Sequence, residues 1–511
     1  MMNKKIYSLR SFGLFCLLSV FTLTSCNDSF LDETTDPNFL TPQNFWKTEQ
    51  DILNGLTSAY ASLQPSMRWG APFERYIVVD NYRSDELDFR ADVTSWLELA
   101  TFVNSSSNEV VFEEWADLYR GINFANQCID NIPLVEEASE ELKTQALAEA
   151  RFLRAYYYFR LYLNYGEKIP LYLHEIKGTD EEFYPEQAKS GEIVEFISKE
   201  LLEVQSILPE PGAYPASQAG RVNKYAAAAI LGKLYMFTKD LASAEKEFEK
   251  IIGKFSLTAN YSDNFDGLHK NNQESIFEAQ YSGDRSAGNQ EFHRIALHLA
   301  SSNAEGYEEA YPSDWLFETL KKDKKANGEY TDRVYETVIF NDPNSRAFYF
   351  DAGKSFLDYH RDGEIFWKKY VSWDPSLSQH WAQSAYNIPI VRYADILLLY
   401  AECLNDKGST TDAINLINEV RARVEATPIP LNLDQGAVLK HLQEVERPTE
   451  LALEGVRWYD LIRWGIVKES LENHGKPYVE NYIPAKHNLL PIPHDEFLLN
   501  PDWEQNPNFG K

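Results

Sequence analysis

Two stretches of the chain, 222–253 and 391–425, carry the same pattern: an apolar helix-like segment, a tight polar turn and a second amphipathic segment. In each second segment a small residue stands four positions before a bulky apolar one, Ala244 before Phe248 and Ala413 before Ile417. On a helix those positions share one face, and the small residue allows a neighbouring helix to approach closely. One such pair cannot bury its apolar face alone. Stacked pairs can, which is the logic of tetratricopeptide-like solenoids. Similar periodicity over 51–63, 110–131, 139–165, 190–208, 434–455 and 456–471 predicts further helices, with Gly166 capping the third of these segments.

The character changes between the two hairpins. Residues 255–390 are rich in Asn, Gly, Asp, Pro and aromatics, and hold short strand-like runs, SIFEAQY at 275–281 and VYETVIF at 334–340. The stretch 65–110 reads as long loops, and an extended Pro-rich tail follows the last helix. Loops of this length inside a compact domain are usually functional. The predicted fold class is mainly α: a helix-pair scaffold with an irregular, loop-rich region containing short strands. The scaffold is assigned to about 49–64, 110–254 and 388–472, and the loop-rich region to about 65–109 and 255–387, all within one domain spanning 49–511.

The N-terminus bounds the location. Lys4, Lys5 and Arg10 precede an apolar run from Phe12 to Leu23, too short to span a bilayer stably. The run ends in Leu-Thr-Ser-Cys, the form that lipoprotein signal peptidase accepts. Cleavage would make Cys26 the acylated first residue, with 1–25 as signal peptide and 26–48 as anchor and polar tether. Several acyl chains hold a protein on a membrane durably. Cleavage also removes three cations and no acids from a chain whose formal charge is already −29. So acidic a protein is repelled by nucleic acid and by anionic head groups, which leaves the lipid anchor as the membrane contact.

Catalytic signatures are missing. There is no nucleotide-binding Gly-rich loop, no Gly-x-Ser-x-Gly elbow and no His-Glu-x-x-His, and the 10 His are scattered. No cofactor and no metal-ligand set can be named. Of four cysteines only Cys128 and Cys403 lie beyond the anchor, each in an apolar helical pattern, so a disulfide scaffold is excluded. One charged constellation stands out in ERPTELALEGVRWYDLIRWG, 446–465: Arg447, Glu450, Glu454 and Arg457 fall at helical spacing, and Asp460 and Arg463 continue the alternation. It reads either as a polar site or as an ion-paired stripe that fixes helix packing; balanced charges favour the second.

Several segments together resemble the SusD-like (RagB/SusD) family of Bacteroidetes outer-membrane lipoproteins. They run in order from the lipobox and NDSFLDE through WADLYRGINFANQCIDNIP (115–133), EARFLRAYYYFRLYLNYGEKIPL (149–171), GRVNKYAAAAILGKLYM (220–236), NNQESIFEAQY (271–281), IPIVRYADILLLYAECLND (388–406) and the 446–465 string to LLPIPHDEFLLNPDWEQNPNF (489–509). The resemblance implies four tetratricopeptide-like helix pairs with an irregular region packed on them. It implies a non-enzymatic, cell-surface binding lipoprotein of the outer membrane. Its implied partners are an oligosaccharide ligand, a SusC-like TonB-dependent transporter over which it sits as a lid, and other surface glycan-binding lipoproteins and glycosidases.

A glycan site needs flat rings to stack on sugar faces and planar polar groups to bridge hydroxyls, on loops over a rigid frame. Three loops offer these. The first carries Trp69, Phe73, Tyr82, Arg83, Asp85 and Trp96. A second, 283–311, carries Arg285, Asn289, Tyr307 and Tyr311. A third, 371–387, carries Trp373, Trp381 and Tyr386. For each ring the competing role is packing, and Trp115, Trp458 and Trp464 are expected in the core. Alternative functions are the same lid architecture binding peptides, a surface glycoside hydrolase, and a scaffold that binds only proteins.

Overall fold

The computed structural model describes residues 45–64, 78–176, 184–282, 292–345, 354–371 and 384–511. Cys26 and most of the tether lie outside them. Eight helices form the scaffold: α1 (Glu49–Ala61), α2 (Glu109–Asn131), α3 (Glu140–Tyr165), α4 (Glu192–Val204), α5 (Lys224–Phe237), α6 (Leu241–Glu249), α7 (Tyr393–Asp406) and α8 (Thr410–Arg423). Each packs on the next in that order, giving four successive pairs. Four of them start at side chains that accept from orphan backbone amides. Thr48 and Asp51 form a capping box on α1, and Asn108, Asn223 and Asp240 cap α2, α5 and α6.

Helix α3 shows why the layers stack. Its run Phe152–Leu161 is buried on all sides, so it lies between neighbours rather than at the surface. The buried tyrosine hydroxyls find partners: Tyr157 donates to the Ala59 carbonyl at 2.6 Å and Tyr165 to the Val111 carbonyl at 2.6 Å. Between α5 and α6 the turn passes through Lys239 at φ +64°, and a Cβ at Gly232 would stand 2.4 Å from the Phe248 ring. The Phe248 that the sequence pattern singled out thus packs against bare backbone, with Ala244 beside it also fully buried.

Among the described residues three two-stranded antiparallel sheets accompany the scaffold: β1 (Leu87–Phe89) with β3 (Ala310–Pro312), β2 (Ser275–Ala279) with β6 (Ile388–Arg392), and β4 (Val338–Ile339) with β5 (Phe366–Trp367). Strand β6 runs directly into α7, so the β2–β6 ribbon joins the scaffold without a loop. SIFEAQY is therefore a strand as expected. VYETVIF is not: a helical turn, Asp332–Thr337, precedes a two-residue strand. The stretch 65–110 likewise contains a helix, Thr94–Ala100.

The 434–471 region departs further from its two expected helices. Helix α9 (Gln435–His441) passes through a π turn, Leu442–Glu446, into α10 (Arg447–Glu450). The chain then breaks, with Leu453 at φ +60° and Gly455 at φ +72°, before α11 (Arg457–Trp464) and α12 (Val467–Asn473). The charged residues of 446–465 therefore do not share one helix face. They are ion-paired all the same, with partners from other elements. Arg333 meets Asp323, Glu446 and Glu450 at 2.6–3.1 Å. Arg392 meets Glu274, Glu450 and Glu454 at 2.6–2.7 Å, and Arg423 of α8 bridges Glu274 and Glu450. Arg447 joins Asp395 of α7 to Asp460, and Arg463 reaches Glu402. Burial alone would raise the Glu450 carboxyl, but Arg423, Arg392 and Arg333 outweigh it and hold the group well below the carboxylate range. Such a network is costly to break, because each removed partner strands a buried charge. It clamps the loop-rich region to the scaffold.

Candidate functional site

Pairing of β1 with β3 brings two of the three candidate loops together. Leu87, Asp88 and Phe89 stand opposite Pro312, Tyr311 and Ala310, and the Arg90 amide continues the ladder to the Glu309 carbonyl at 2.9 Å. Lys476 pins the outer edge, donating to the Leu87 carbonyl at 2.8 Å and to Asp88 at 2.6 Å. Residues separated by some two hundred positions in sequence thus share one surface.

An aromatic row crosses that junction. Tyr82 stacks on Phe89 with centroids 5.6 Å apart and meets Trp96 edge-on at 5.9 Å. Trp96 meets His298 at 5.6 Å, and His298 meets Tyr307 at 5.5 Å. Exposure differs along the row: Tyr82 and His298 are buried, 2 % and 6 % exposed, Trp96 is half-buried and Tyr307 is 49 % exposed, so Tyr82 packs beneath the surface rather than facing a ligand. Tyr307 is held firmly, its amide donating to the Leu297 carbonyl at 2.7 Å. The turn around it is tight, since a Cβ at Gly306 would stand 2.1 Å from the Ala300 carbonyl oxygen. Beside the rings lie planar polar groups. Arg90 bonds Asp92, the Tyr307 carbonyl and Glu309. Its contact with Asp92 raises the guanidinium further and holds the carboxylate below its ordinary range. Asn303 extends the surface toward a third segment, donating to the Tyr359 carbonyl at 2.7 Å. A strip of packed rings that opens at Tyr307, flanked by a guanidinium, a carboxylate and an amide, has the elements that bind a sugar face and its hydroxyls.

The other candidates divide. Arg83 and Asp85 are interior, 2 % and 0 % exposed. Arg83 lies 4.5 Å over the Trp458 ring and bonds Asn164 at 3.2 Å. Asp85 takes both arms of Arg457 at 2.8 and 2.7 Å, with Ser470 and His474 as further donors. These side chains face the frame, which corrects their placement on a ligand loop. Tyr386 is also buried. Trp115 and Trp458 are core as expected, whereas Trp464 is half-buried and donates to Glu402 at 2.8 Å. Trp69, Phe73, Arg285, Asn289, Trp373 and Trp381 lie outside the described residues. Sequence reasoning missed Arg90, Asp92 and His298, because only the β1–β3 register joins them to the chosen rings. Asp263, Asp266 and His269 have ligand atoms within 4.8 Å of one another, with His269 Nδ1 2.7 Å from Asp266. They satisfy each other at a half-exposed turn.

Comparison with known proteins accords with this architecture. A family described as "Starch-binding associating with outer membrane" matches residues 29–236, and the SusD family matches 273–509. A SusD-like protein of Formosa agariphila is 27 % identical, covering 94 % of this chain and 95 % of its own. The crystal structure of a SusD superfamily protein from Bacteroides vulgatus superposes with a TM-score of 0.80 at 25 % identity, covering 91 % of this chain and 99 % of that one. A laminarin-binding SusD-like protein gives 0.74 at 25 % identity, covering 91 % of this chain and 100 % of that one. With its mainly helical fold, its four helix pairs and family matches along both halves, the chain belongs to the SusD-like family of glycan-binding proteins.

Proposed function

We propose that this protein is a non-enzymatic glycan-capture lipoprotein of the outer-membrane surface, which hands oligosaccharides to a SusC-like TonB-dependent transporter. The observation that carries the binding role is the aromatic strip Trp96–His298–Tyr307, with Tyr311, Arg90 and Asp92, mounted where β1 meets β3. Trp69, Phe73, Arg285, Asn289, Trp373 and Trp381 join the proposal on sequence grounds alone. Attachment through Cys26 and the tether 26–48 supplies the membrane contact; among the described residues no helix is long and apolar enough to cross a bilayer. Because a similar protein binds laminarin, β-glucan oligosaccharides are the first ligands to try. Isothermal titration against β-glucan, α-glucan, plant and host glycans tests the reading. Saturable binding of one glycan class supports it. Failure of every glycan alongside tight binding of peptides overturns it.

A further inference from the structure

Away from the aromatic strip, a cleft of about 230 Å³ opens between α2, the strand-like segment 170–176 and the C-terminal helix His494–Leu499. Three rings converge there. Trp115 and Tyr119 have centroids 4.8 Å apart, and Tyr119 meets Tyr172 at 5.6 Å and 86°, so two walls stand at a right angle. The one carboxylate lining the cleft is Glu496, half-buried. Its carboxylate acts electrostatically on both Tyr119 and Tyr172, and the Trp115 indole partly offsets the effect of its burial, which places it among the rings. Among the described residues no cation stands at ion-pair distance from it. Its electrostatic neighbour is another acid, Asp495, and burial raises its pKa. Arg154, which donates to the cleft-lining Asn126 at 2.9 Å, is committed to Glu200 at 2.9 Å.

A half-buried anion without a counter-charge is unfavourable, and an incoming cation would relieve it. Aromatic rings around an acid favour a soft organic cation, whose attraction to the ring quadrupole adds to the ion pair. A metal ion or a neutral sugar would use only part of this arrangement. We propose that the Trp115–Tyr119–Tyr172–Glu496 cleft is a binding site for an organic ammonium group, separate from the glycan surface. The ammonium could be carried by a free small molecule or by a lysine side chain, and the test separates the two.

The full soluble protein is titrated with choline, with its uncharged isostere 3,3-dimethylbutanol, and with a short peptide bearing one lysine. The proposal expects choline or the lysine peptide to bind, the isostere to bind at least about tenfold more weakly, and Glu496→Gln to weaken the cation about tenfold without affecting the isostere. Choline binding assigns the site to free ammonium compounds, and binding of the peptide alone assigns it to a lysine side chain. Absence of both at millimolar concentration overturns the proposal. So does equal binding of the isostere by the unmodified protein, a result that does not depend on how any variant folds. Tyr172→Leu is a second variant, expected to lower cation affinity while leaving glycan titrations unchanged.

Discussion

Replacement of Glu86 by Gln should stabilise the protein increasingly as pH rises. Glu86 is 1 % exposed in the turn that leads into β1, and its Oε1 accepts from the Leu453 amide at 3.2 Å. Burial first, and then the adjacent Asp85, lift its carboxyl from 4.5 to about 8. The folded protein therefore keeps a proton that the unfolded chain releases above about pH 4.5. The sign follows: the group costs nothing below that value, and stability falls as pH climbs from there to about 8. Each unit is worth about 1.4 kcal/mol, so between pH 5 and pH 7.5 the cost grows by about 3 kcal/mol. Gln keeps the acceptor for Leu453 and never ionises. Its amide would meet the environment of Oε2, which has no hydrogen-bond partner among the described residues, at a cost of about 1–3 kcal/mol that does not vary with pH. The diagnostic is thus the change in the difference between the two proteins, which cancels all other titrations. Urea unfolding of both at pH 5 and pH 7.5 measures it. A difference that stays constant across this range would show that Glu86 is ionised in the folded state and refute the reasoning.

Other outcomes follow from the packing. Glu450→Gln withdraws one carboxylate from Arg333, Arg392 and Arg423 and should cost about 3–5 kcal/mol, read by calorimetry; a loss under about 1 kcal/mol would mean the network is solvated. Gly232→Val should destabilise by about 1–3 kcal/mol through collision with Phe248, and a double-mutant cycle with Phe248→Leu should show strong coupling in denaturant unfolding. Asp85, Glu446 and Glu450 are all held below their ordinary range, because guanidinium contacts outweigh burial. The stability they add is complete above about pH 4.5 and is lost as pH falls through their depressed values, so acid unfolding followed by circular dichroism should begin below that pH.

The scaffold was legible because its signal is local. Helices such as α2, α3, α7 and α8 are long runs free of Pro, and α2 starts at a recognisable cap, Asn108. The break after Glu450 was not, since nothing in the string Leu-Ala-Leu-Glu announces a left-handed Leu453. The single turn Asp332–Thr337 is too short for periodicity to separate from a strand. At the candidate site the residue types were right in kind, but exposure depends on distant partners. Asp85 is claimed by Arg457, 372 positions away, and Tyr82 is roofed by Trp96, while Tyr307 in a similar polar loop remains open. Only the strand register distinguishes them.

The most direct test of the account is hydrogen exchange with the glycan that binds most tightly. If the strip at the β1–β3 junction holds the ligand, saturation should slow exchange in both 87–96 and 298–311, and Tyr307→Ala should abolish both effects together without changing the thermal midpoint. Protection confined to the helical scaffold, or unaltered by Tyr307→Ala, would contradict it.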